Sequence, residues 1–72
     1  MGIMGNLTPA ERRVVELLAL GMTQTRIAKV LCIEPATVYN HIKSARRKTG
    51  TGSAFQLAVK VAVATEIERS GR

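Results

Sequence analysis

Between Thr37 and Lys48 the chain carries Lys43, Arg46, Arg47 and Lys48 with no acidic residue, interleaved with Tyr39 and Asn40. These side chains suit nucleic acid. An asparagine amide can pair with adenine through two hydrogen bonds and a lysine can donate to guanine, while cations and hydroxyls hold phosphate oxygens. Wound as a helix at about 100° per residue, the segment gathers Val38, Ile42, Ala45 and Thr49 into one narrow apolar stripe. Asn40, Lys43 and Arg47 fall on the opposite side. Tyr39 and Arg46 flank that outward face on one edge, Thr37 and Ser44 on the other.

Other chemistries find little support. His41 stands on the border of the apolar stripe with no second ligand nearby, so it reads as a packed or hydrogen-bonded histidine. Cys32 is the single cysteine. It cannot form a disulfide within the chain, and no paired Cys/His spacing for zinc is present. Its plain reading is a half-buried thiol in a turn. Arg12 and Arg13 read as solvated surface. With one His, one Tyr and no phosphate-binding Gly loop, the sequence predicts no catalytic residue, no metal, no cofactor and no small-molecule substrate.

The whole chain agrees with a polyanionic partner. Its 72 residues carry 11 Lys+Arg against 5 Asp+Glu, a net charge of +6, in a composition that is 46% hydrophobic and 22% charged. That is globular, and room exists for one small domain that buries roughly 60% of its unfolded surface. The most apolar stretch, from Ala54 to Ala64, is interrupted by Gln56 and Lys60 and is too short to span a bilayer. No membrane association and no export signal are expected, which makes a reducing cytoplasm the default location.

Four helices must position the cationic face, and no segment alternates as a half-buried strand does. The first starts at Thr8-Pro9-Ala10-Glu11, with Thr8 as cap, Pro9 in the first turn, Glu11 completing a capping box and Leu7 packing back as a staple. Ala10, Val14, Leu17 and Leu18 form its apolar face, and Gly21 offers a left-handed stop. Thr23 caps a second helix whose buried stripe is Ile27, Val30 and Leu31 with Ala28 beside them. Glu34-Pro35 opens a third, running to about Lys48. Thr49 to Ser53 read as a turn, and Ser53 caps a fourth helix from Ala54 to about Arg69. Residues 1–6 are expected to be flexible, 7–69 to form the domain and 70–72 to fray.

Helices two and three, joined by a short turn, satisfy the demands of a helix-turn-helix unit. The crossing needs a small residue, and Ala28 supplies it. Ile27, Leu31, Ile33, Val38 and Ile42 are placed to fix the angle. Helix four bears apolar residues on two sides. Leu57, Ala58, Val61 and Ala64 suit the core, whereas Phe55, Val59, Ala62 and Val63 form a second face that a chain this small cannot cover, and such a face marks an interface.

Leu7-Thr8-Pro9-Ala10-Glu11-Arg12, Val15 to Thr23, Arg26-Ile27-Ala28, Ile33, Thr37-Val38 and Asn40-His41-Ile42 together resemble the LuxR-type (FixJ/GerE-type) helix-turn-helix domain. The likeness covers about Leu7 to Val61 and implies an all-α, four-helix DNA-binding domain, in the stand-alone GerE-like form. It implies that the third helix enters the major groove, with Tyr39, Asn40 and Lys43 at base-reading positions. Thr23, Gln24, Thr25 and Thr37 then fall where phosphates are held, joined by Ser44, Arg46 and Arg47, with Lys48 also toward the DNA backbone. It implies pairing of two copies through the fourth helix, by Phe55, Val59, Ala62 and Val63. Double-stranded DNA is the expected partner, on the nucleoid in the cytoplasm.

The sequence also departs from that family's pattern. Tyr39 stands at a usual lysine, Cys32 at a turn position favouring glycine, and Glu34 at a usual Ser/Thr cap. Thr49 and Thr51 replace Leu and Val, thinning the core under the fourth helix. These departures keep a second reading open, an anti-activator module that pairs with a larger LuxR-type regulator through helix four.

Overall fold

The computed structural model describes residues 3–70, with a short 3-10 helix at Ile3–Asn6 followed by α1 (Pro9–Ala19), α2 (Gln24–Leu31), α3 (Pro35–Thr49) and α4 (Ala54–Ser70). The domain is all-α and measures 35 × 21 × 20 Å. α1 is the central element and packs against both α3 and α4, while α2 packs chiefly on α3. Of residues 1–6, expected to be flexible, Ile3–Asn6 forms the 3-10 turn against α3 and α4, and residues 1–2 lie outside the described residues. Ser70 ends α4, and residues 71–72 of the expected fraying tail lie outside the described residues.

Local chemistry sets the helix ends. Thr8 Oγ1 accepts the Glu11 amide at 3.1 Å and Glu11 Oε1 accepts the Thr8 amide at 3.0 Å, a closed capping box with Pro9 inside it. Gly21, at φ +96°, turns the chain after α1. Thr23 Oγ1 accepts the Arg26 amide and starts α2. α2 ends on Cys32 in the left-handed region (φ 58°, ψ 43°), and the Ile33 amide then reaches back to the Ala28 carbonyl at 3.0 Å. A side chain in that region costs about 1 kcal/mol, which is why glycine is favoured there. Glu34 precedes α3 without a side-chain capping bond. At the α3–α4 turn, Gly50 is again left-handed and Ser53 Oγ accepts the Gln56 amide.

The core comprises Leu7, Val14, Val15, Ile27, Ala28, Val38, Ile42, Ala45, Leu57 and Val61. On α3 the buried set is the stripe read from spacing, Val38, Ile42, Ala45 and Thr49. Two neighbouring stripes need correction. Ala10 is exposed and Val15 is fully buried in its place, because α1 wedges between two helices and buries two adjacent positions. Val30 is 47% exposed, since α2 meets little beyond α3 and buries only Ile27 and Ala28. The Thr49 hydroxyl, inside the core, donates to the Ala45 carbonyl at 2.8 Å and shares a bond with the Thr51 hydroxyl at 3.1 Å. Hydrogen bonds thus offset the apolar volume that threonine lacks.

Candidate nucleic-acid interface

α3 holds the site. Its buried stripe sits on the rest of the domain, so helical geometry alone turns Tyr39, Asn40, Lys43 and Arg47 outward, and all four are exposed. None of the four is hydrogen-bonded or ion-paired within the described residues. Tyr39, Lys43, Arg46, Arg47 and Thr51 together line a shallow concavity that contains no acid. A groove with phenol, ammonium, guanidinium and hydroxyl groups on one wall can donate to phosphate oxygens and to the acceptor edges of bases. His41 is half-buried at its border, and Thr37 is half-buried in the first turn.

At the head of α2, Thr23 and Thr25 are exposed and Gln24 is half-buried. The Thr23 hydroxyl accepts the Arg26 amide through one lone pair and keeps its proton for another acceptor. Arg26 lines a second shallow concavity with Gly21, Met22 and Thr23. Arg26 and Lys29 are exposed and unpaired, and reading the sequence missed both as candidate phosphate ligands. The available signal was their position three and six residues after the Thr23 cap, on the helix that precedes α3.

Two residues assigned to DNA phosphate by sequence are otherwise employed. Lys48 Nζ lies 2.8 Å from Glu11 Oε1, in an ion pair whose carboxylate side chain is only 7% exposed. Burial pushes the Glu11 carboxyl up, but the Lys48 ammonium and the Thr8 amide outweigh it and hold the pKa at about 2. Lys48 is thus a structural cation, and Ser44, one turn before it on α3, is half-buried. Arg46 is half-buried, with one guanidinium nitrogen 2.6 Å from the Gly52 carbonyl and its Nε buried without a partner. Arg46 braces the α3–α4 turn and presents only part of its guanidinium to the concavity. Arg47 is the fully outward cation of that turn.

Pairing among the cations separates two faces. Arg12 bonds Glu16, Lys60 Nζ bonds the Thr49 carbonyl and Arg69 pairs with Glu66. The unpaired cations among the described residues are Arg13, Arg26, Lys29, Lys43 and Arg47, and none belongs to α4.

α4 is apolar where nothing covers it. Phe55, Val59, Val63 and Ile67 repeat every four residues, are 77%, 47%, 52% and 65% exposed, and form one wall of an open groove. Ala62, grouped with them by sequence, lies instead in a separate depression against α1, beside Glu16, Ala19 and Leu20. Ile67 takes its place on the stripe. The strict spacing of four from Phe55 would have found it. Among the described residues no helix is long and apolar enough to cross a membrane, and no cluster of metal-binding side chains occurs.

The family whose model matches residues 5–61 is described as bacterial regulatory proteins, luxR family. Two similar curated proteins, from Mycobacterium bovis and Mycobacterium tuberculosis, are described as HTH-type transcriptional regulators. Each is 41% identical over 58 residues, which is 81% of this chain and 7% of the relative's length. The chain thus spans a small part of these relatives. No solved structure matches it.

Proposed function

The chain belongs to the luxR family of bacterial regulatory proteins, a helix-turn-helix DNA-binding domain of transcriptional regulation, and from that premise we propose that it binds a two-fold symmetric site as a homodimer. α3 lies in the major groove. Asn40 and Lys43 read base edges, and Tyr39 adds an aromatic, hydroxyl-bearing contact beside them. Thr23, Gln24, Thr25, Thr37 and Arg47 hold phosphates, supplemented by Arg26 and Lys29 and by the open part of Arg46. The observation that carries this reading is the outward face of α3, cationic and unpaired while other cations of the fold are engaged internally. Such a role puts the protein on the nucleoid, in the cytoplasm.

The second copy pairs on α4. A two-fold axis between Val59 and Val63 sets Val59 against its symmetry mate's Val63 and Phe55 against Ile67, so the stripe is complementary to itself. Ridges spaced by four residues interlock at a crossing of about 50°. Of the two cations of α4, Lys60 is bonded to the Thr49 carbonyl and Arg69 is paired with Glu66.

Selection of bound duplexes from random DNA by the purified chain, with sedimentation of the same preparation, tests the reading. Enrichment of inverted half-sites about one helical turn apart, with the mass of a dimer, is the expected result. A monomer at all concentrations, or pairing without any enriched sequence, overturns it. The latter outcome favours the anti-activator module.

A further inference from the structure

Lys60 links α4 to the end of α3. Its stem lines the α4 groove beside Val59 and Val63, while its ammonium reaches 3.2 Å to the carbonyl of Thr49, the last residue of α3. Carbonyls at that end of a helix have no intrahelical donor and carry the negative end of its dipole, so an ammonium there fastens the final turn. That turn carries Arg46 and Arg47. Thr49 is also held through its own hydroxyl, bonded to Ala45 and Thr51, so a pull on its carbonyl is transmitted to the backbone of α3 and the following turn.

We propose that Lys60 couples pairing through α4 to the seating of α3 on DNA, an inference that rests on the homodimer reading above. In a single chain Lys60 is exposed, and water weakens its bond to Thr49. A second copy on the groove excludes that water, strengthens the bond and stiffens the end of the recognition helix. Linkage makes the effect reciprocal, so DNA that holds α3 also favours pairing. Glu68 lines the same groove two turns further along α4, and the Lys60 ammonium is bonded to the Thr49 carbonyl.

The test measures the dimer dissociation constant with and without a duplex of about one helical turn carrying a single selected half-site. A duplex that short holds one protomer and cannot bridge two, so avidity contributes nothing. Saturating duplex should tighten pairing about five-fold or more in the parent, within the usual range of coupling. Lys60→Met and Lys60→Gln, each confirmed folded by circular dichroism, should pair and bind duplex but lose the tightening. Lys60→Arg, which keeps a positively charged donor, should retain it. Equal tightening in the parent and in both uncharged variants overturns the coupling, as does no tightening in the parent. Failure of the parent to pair or to bind duplex would instead defeat the homodimer reading on which the proposal stands.

Discussion

Oε1 of Glu11 lies 2.8 Å from Nζ of Lys48, and the same oxygen accepts the Thr8 amide, so one atom both caps α1 and anchors the last turns of α3. The last turns of α3 are thus fastened to the start of α1. Removing the cation would leave a buried carboxylate without its partner, which is costlier than losing a surface ion pair.

Acid should loosen this anchor. The carboxyl's pKa is lowered from 4.5 to about 2 in the folded chain, so its contribution is complete above the unfolded value and is lost as pH falls between these two values. Thermal melts stepped through that window should show a falling midpoint in the parent and a flatter response in Glu11→Gln. Lys48→Met should cost about 3 kcal/mol at neutral pH and move the acid transition upward.

Asn40→Ala and Lys43→Ala should each remove about 1–3 kcal/mol of discrimination at one position of the half-site. Melting midpoints should stay near the parent's, because both side chains face outward. Binding measured on a series of singly substituted duplexes checks this, and an unaltered preference in both variants counts against the base-reading assignment.

Adjacent arginines should behave differently. Arg47→Ala should weaken binding to all sequences alike, lower the salt slope by about 1 and leave stability within about 0.5 kcal/mol. Arg46→Ala loses the bond to the Gly52 carbonyl and should cost about 1 kcal/mol of stability. Titrations at several salt concentrations, paired with melts, separate the two.

Cys32→Gly should raise stability by about 1 kcal/mol, since glycine accepts the left-handed backbone that cysteine holds under strain. In a domain of this size that is a shift of about 4–8 °C. A melt under reducing conditions measures it, and a lowered midpoint would show that the thiol's contacts outweigh the backbone strain.

Val59→Glu should shift the sedimentation mass toward monomer and weaken binding to the two-fold site, because it buries a charge at the centre of the stripe. Ala62→Glu should leave the mass unchanged, as Ala62 faces the depression beside α1. Equal effects of the two substitutions would restore Ala62 to the interface.

Much of the fold was legible because its signals are local. Thr8-Pro9-Ala10-Glu11, Thr23 and Ser53 act within one helical turn, and the α3 stripe follows from 3.6-residue geometry alone. The outward placement of Asn40, Lys43 and Arg47 comes from that same geometry. What escaped notice lies in tertiary contact. Glu11 and Lys48 are 37 residues apart, Lys60 and Thr49 belong to different helices, and Arg46 bends back to a carbonyl beyond the end of its own helix. Spacing says which way a long cationic side chain starts, not where its charged end finishes. The exchange of Ala62 for Ile67 has another cause. A wheel projection collapses the helix axis, so it groups residues by angle although α1 covers only part of the length of α4.

Leu57 and Val61 fasten α4 to its own chain in the core, while the outward stripe of the same helix stays exposed. Under the pairing proposed here, the population of operator-competent species at low expression rises with the square of protomer abundance. Doubling synthesis then roughly quadruples the paired form, a sharpened response to dosage.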